Sequence, residues 1–231
     1  ERKEIVTALG LFFKKIDAGD KLLAQLPERF ETLDSAGTFY NEAGHMAESL
    51  PRDISVDFLV RSKKDEIRQR VALMEYREKV SEAGRIYNRM IAALNSSEWE
   101  SAKVLLYGNQ ELLTGNLEGS QRSNSIHLTA FFREIDAGDE IGSRKPENIE
   151  NINSALAFYD AAARRAEQLS ENVTVAFVVR LKKLRAGEIL TRLQIEQQQM
   201  EALKIYDRIR AALNLSQWEK ARQSLYDNQD F

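Results

Sequence analysis

The sequence predicts an all-α protein, a tandem duplication of antiparallel helices forming two four-helix bundles linked by long helices. Three observations carry this reading. Only three prolines and eleven glycines occur in 231 residues, too few for the many turns of a β-sandwich or barrel. Apolar residues recur at the three-to-four-residue spacing of a helix face through most of the chain. The sequence also matches itself when shifted by 119 residues: Trp99 falls on Trp218, Phe12-Phe13 on Phe131-Phe132, and Ile16-Asp17-Ala18-Gly19-Asp20 on Ile135-Asp136-Ala137-Gly138-Asp139. Phe39-Tyr40 falls on Phe158-Tyr159, and Phe58, Val60, Arg61, Lys63 and Lys64 fall on Phe177, Val179, Arg180, Lys182 and Lys183. More than a third of the overlaid positions are identical, and no gap is needed. A period this long exceeds solenoid units of about 20–50 residues, so each copy is domain-sized.

The elements follow in order. Leu9, Phe12, Phe13, Ile16 and Leu23 mark a first helix over 8–26. Pro27 is placed to open the next, whose stripe runs through Phe30, Leu33, Ala36, Phe39, Tyr40, Ala43, Ala47 and Leu50 before Pro51. Residues 54–94 hold no proline or turn cluster. They read as one helix of about 60 Å, or as two helices with a break near Gly84. Asn95-Ser96-Ser97 forms a turn whose hydroxyl is placed to cap the helix that holds Trp99. The second copy repeats the pattern over 128–145, 146–169 and 173–213, with a turn at Asn214-Leu215-Ser216 before Trp218. The most linker-like stretches are Thr114-Gly115-Asn116 and residues 119–124. Two divisions are open. Residues 76–169 form one contiguous four-helix bundle, with 1–50 and 194–231 pairing as a second; or two sequential domains occupy 1–119 and 120–231. The first is favoured, because the resemblance described below spans the repeat boundary.

Composition bounds the chemistry. There are no cysteines, which excludes disulfides, thiol catalysis and cysteine-ligated metals. The net charge of −3 and pI near 5.7 argue against a nucleic-acid partner. No run of 18 apolar residues spans a membrane. The two histidines, His45 and His127, have Arg164 and Ala8 as repeat mates, so neither belongs to the duplicated design. The Asp-x-x-Asp pairs, Asp17/Asp20 and Asp136/Asp139, fall short of a calcium loop. With the glycine between them they read as a helix break or kinked turn. Asn95, Asn172 and Asn214 lie in Asn-x-Ser/Thr triplets, and turn capping accounts for the matched pair Asn95 and Asn214. No phosphate loop, nucleophile elbow or paired histidines occur, so the expectation is no enzyme activity, no cofactor and no metal.

The expected working surface is basic and aromatic. Residues 61–89 carry nine basic and five acidic side chains, and 180–210 carry eight and four, inside an acidic protein. Arg61, Lys63 and Lys64 in one copy, and Arg180, Lys182, Lys183 and Arg185 in the other, are therefore candidates for docking on an acidic partner. Trp99 and Trp218 join them, although each also suits a wedge at a bundle end.

Trp99, Leu106, Leu113 and Asn116-Leu117 follow Ala-Ala-Leu-Asn-Ser-Ser-Glu at fixed intervals, and Phe131-Phe132, Ile135-Asp136, Pro146, Ala157-Phe158-Tyr159 and Leu169 come after. Over residues 76–169 this pattern resembles the PsbQ-like proteins, extrinsic subunits of photosystem II in the thylakoid lumen. The chain departs from them in having Leu106-Tyr107 where the family has Leu-Arg, and in being duplicated and mildly acidic. The resemblance implies a non-catalytic structural role in photosynthesis. Such a subunit would be peripheral to the membrane and not spanning it. It would dock on protein subunits of a photosystem or its antenna in the chloroplast thylakoid lumen and stabilise them. The alternatives are an extracytoplasmic helical-bundle sensor module, as in a bacterial periplasm, and a helical-repeat interaction scaffold.

Overall fold

In the computed structural model, which describes residues 2–51 and 54–228, helices follow one another and no strand occurs among the described residues. The order is α1 (Arg2–Leu23), α2 (Phe30–Glu48), α3 (Asp57–Asn95), α4 (Trp99–Gly108), α5 (Gln110–Asn116), α6 (Gly119–Gly142), α7 (Ile149–Ala166), α8 (Ala176–Asn214) and α9 (Trp218–Tyr226). The predicted all-α class holds. The chain divides into two compact units, Glu1–Glu82 and Ala83–Phe231, with the division inside α3.

In the first unit α1 and α2 run antiparallel: Asp20 meets Tyr40, while Lys15, earlier in α1, meets Glu42, later in α2. The first part of α3 packs on both. Its Lys63 reaches Asp20, and its Arg70 donates to the Leu23 carbonyl and to Glu28. The core is drawn from Phe12 and Ile16 of α1, Leu33, Ala36 and Tyr40 of α2, and Val60 of α3. These are the apolar stripes that the spacing marks.

The second unit is a helical bundle whose core draws on both sides of the repeat boundary. Met90 and Leu94 at the end of α3 meet Leu106 of α4, Leu113 of α5, Phe131, Phe132 and Ile135 of α6, Ile152 and Tyr159 of α7, and Val178 and Val179 of α8. One polar knot is buried in it. Asn124 of α6 donates to the Tyr87 hydroxyl at 2.8 Å and to Ser170 Oγ at 2.6 Å, and its own oxygen accepts from the Ser170 N–H at 3.1 Å. Every hydrogen-bonding group of that amide on the oxygen and nitrogen sides is thus engaged, which offsets its burial. The second half of α8 and α9 form a hairpin, and among the described residues from 194 onward only Ala221 joins the buried apolar set.

Several local expectations change. α3 is uninterrupted through Gly84. Residues 114–116 and 119–124 lie in α5 and α6, so the linker there shrinks to Leu117 and Glu118. Thr114 and Asn116 are helical, and their side chains donate back to the Gln110 and Leu112 carbonyls, at 2.8 and 2.9 Å. The Asp-x-x-Asp segments are not breaks: both sit inside α1 and α6. Pro27 does not open α2, which starts at Phe30; it lies in the preceding loop after a cis bond, as does Pro146 before α7. The Ser97 hydroxyl does not cap α4, whose N-cap position is Glu98 and carries no side-chain cap bond. Instead Ser97 takes a left-handed backbone at φ 62° and closes α3 from behind. Its N–H meets the Leu94 carbonyl, and the Glu98 N–H meets that of Ala93. Ser216 does the same for α8 at φ 57°.

Candidate docking surface

The repeated charges serve two ends, and the structure separates them. In each unit a tyrosine, an aspartate and a lysine from three helices form one clamp. The Tyr40 hydroxyl donates to Asp20 at 2.7 Å, and Lys63 pairs with the same carboxylate at 2.7 Å. In the second unit Tyr159 donates to Asp139 at 2.7 Å, and Lys182 pairs with Asp139. Burial pushes both tyrosines above the ordinary phenol range, and the neighbouring carboxylate pushes further. Burial alone would raise Asp20, but the Lys63 and Tyr40 hydrogen bonds outweigh it and hold the carboxyl below its usual value. Asp20 in turn holds the Lys63 ammonium above its usual value against the opposing effect of burial. Lys63 and Lys182 are thus occupied in tying helices together.

Trp99 is half-buried. It stacks on Phe132 with ring centroids 6.4 Å apart and planes 17° apart. Two ammonium groups flank it, Lys103 at 5.3 Å and Lys182 at 4.9 Å from the centroid. Lys103 and the Tyr107 hydroxyl both reach Asp136, each at 2.9 Å. Burial and then the Asp136 hydrogen bond push Tyr107 above the phenol range. Trp218, at the start of α9, stands 66% exposed.

The remaining cations differ in exposure. Arg61 on α3 is exposed, and Lys64 is half-buried beside Gly44 of α2. Arg180 and Arg185 on α8 are exposed, and Lys183 pairs with Asp160 of α7. Between α7 and α8 lies a groove of about 690 Å³ with an apolar floor of Ala163, Ala166, Ala176 and Val179. Its rim holds Arg180, Lys183, Glu167 and Leu184, the last 61% exposed. Small residues on two adjoining helices leave this trough, and basic heads stand along it. Such a surface suits an apolar side chain flanked by acidic groups on a partner.

His45 is exposed and lies 3.7 Å from Glu48. Among the described residues no group of three or more metal-type ligands gathers, and no helix is long and apolar enough to cross a membrane. The clamps escaped the charge count because that count does not see a partner twenty residues or more away. The signal that finds them is the recurrence of Asp, Tyr and Lys together at the 119-residue period.

No protein-family model matches this chain, and neither a curated protein nor a solved structure was found to match it.

Proposed function

We propose that the protein is a non-catalytic structural subunit that docks peripherally on a photosynthetic membrane complex, at the lumenal face of a photosystem or its antenna. The observation that carries docking is the α7–α8 groove, an apolar trough edged by Arg180 and Lys183, in a chain whose net charge is −3. A basic rim on an acidic protein directs encounter with an acidic surface and repels wrong orientations. The choice of a photosystem rests on the resemblance to PsbQ-like proteins. Leu106, Leu113, Phe131, Phe132, Ile135 and Tyr159, which carry that resemblance, line one core.

A thylakoid salt wash tests this reading. Charge docking weakens when the Debye length falls to about 3 Å at 1 M salt, so the protein is expected in the wash. Absence from thylakoids before the wash, or full retention after it, contradicts the proposal.

A further inference from the structure

The second unit contains a pairing whose two halves recur elsewhere in the chain without each other. There Trp99 stacks on Phe132, Leu106 is fully buried, and Asp136 accepts from Lys103 and Tyr107. The 119-residue period carries Trp99, Leu106 and Tyr107 to Trp218, Leu225 and Tyr226 of α9, and Lys103 to Arg222. It carries Phe132 and Asp136 to Phe13 and Asp17 of α1. Burial does not follow the period. Leu106 and Phe132 are 0% exposed, whereas Leu225 is 56% and Phe13 47% exposed. The same holds for Tyr87, 3% exposed, and its mate Tyr206 on α8, 59% exposed. Leu106, Phe132 and Tyr87 are buried in one place and their mates exposed in the other, and clustered exposed apolar groups of this kind mark association sites.

We infer that the α8–α9 hairpin of one copy of this chain docks on the α1 face of a second copy, with Trp218 over Phe13 and with Arg222 and Tyr226 on Asp17. The second unit supplies the template for each contact. Charge fits as well: Arg222 keeps the cation of Lys103, and Asp17, exposed, keeps the anion of Asp136. Lys63, the mate of the Lys182 that lies over Trp99, already sits beside α1 through its Asp20 pair. Reciprocal exchange of two hairpins closes a two-fold pair, whereas one-way docking builds an open chain.

Sedimentation of the 231-residue chain over a dilution series tests the inference. The wild type is expected to form dimers or larger species that dissociate on dilution. Phe13→Glu and Trp218→Glu change exposed side chains, so each is expected to keep its helical circular dichroism and to run as a monomer. Mixed together they are expected to give a weaker one-to-one pair, since each supplies the surface the other lacks. Asp17→Arg and Arg222→Asp are each expected to weaken association about tenfold or more, and their mixture to recover it. A wild type that stays monomeric at every concentration overturns the inference, because whatever covers these faces is then not a second copy. Association that ignores both glutamate variants, or charge variants that fail to complement, overturns it too.

Discussion

Gly19 of α1 lies directly under the ring of Tyr40 of α2: a methyl group added at its Cα would stand 2.7 Å from the ring Cζ. Gly138 and Tyr159 repeat the relationship, with the added carbon 2.5 Å from Cε1. Both tyrosines are buried, so the ring cannot step aside. The close approach is what lets each hydroxyl reach the aspartate one residue after the glycine.

Gly19→Ala and Gly138→Ala are therefore expected to destabilise the protein, although alanine favours a helix by about 1 kcal/mol. Overpacking costs about 1–3 kcal/mol and wins. Gly84→Ala, where nothing lies within 4 Å of the new carbon, is expected to stabilise by up to about 1 kcal/mol. Urea midpoints of the three variants check the opposite signs.

Tyr40→Phe and Tyr159→Phe keep the ring packing and delete one hydrogen bond to Asp20 or Asp139. Each is expected to cost about 1 kcal/mol, because the aspartate keeps its lysine partner. A loss near that of a core truncation, about 3 kcal/mol or more, would show that the hydroxyl does more than join helices.

Alkaline conditions should unfold the protein by a defined route. Tyr40, Tyr107 and Tyr159 hold their protons more tightly when folded than the ordinary value of 10.0. The unfolded chain therefore loses these protons first. Their contribution is complete below that value and falls as the pH rises above it. Melting temperatures are expected to drop above about pH 10, and less steeply when all three are phenylalanine. Asp20 works at the other end: its lowered value means its contribution is present above 3.8 and lost as the pH falls below it. Partial exposure of that carboxylate keeps the acid effect small.

Ser97 and Ser216 hold left-handed backbones at the ends of α3 and α8, where glycine is the favoured residue. Ser97→Gly and Ser216→Gly are expected to stabilise by about 1 kcal/mol each. Thermal melts measure this, and a loss of stability would mean the serine side chain contributes there.

The helices were legible because burial depends on period. Phe12, Ile16, Leu33, Ala36 and Tyr40 fall on the stripes read from sequence and are all buried. What was not legible depends on partners. Gly19 with Asp20 looks like a turn by local chemistry, yet it stays helical because a ring packs where a side chain would be. Thr114 and Asn116 look like a linker, yet Leu113 and Leu117 beside them are buried in the core and hold α5 in place. Lys63 and Lys182 counted as free basic charge, whereas Asp20 and Asp139 hold them. Only Arg61, Arg180 and Arg185 among the basic candidates are exposed. The groove itself left no sequence signal, since alanines on two helices form it only once α7 and α8 lie side by side.

The most direct test of docking is the binding of purified protein to salt-washed thylakoid membranes, comparing wild type with the Arg180→Glu variant. Arg180 is exposed, so the variant is expected to fold and melt like the wild type. Wild-type binding that falls with ionic strength, and a variant that rebinds about tenfold more weakly, is the predicted result. Equal rebinding of the two proteins would contradict the claim that the basic rim of the α7–α8 groove holds the subunit in place.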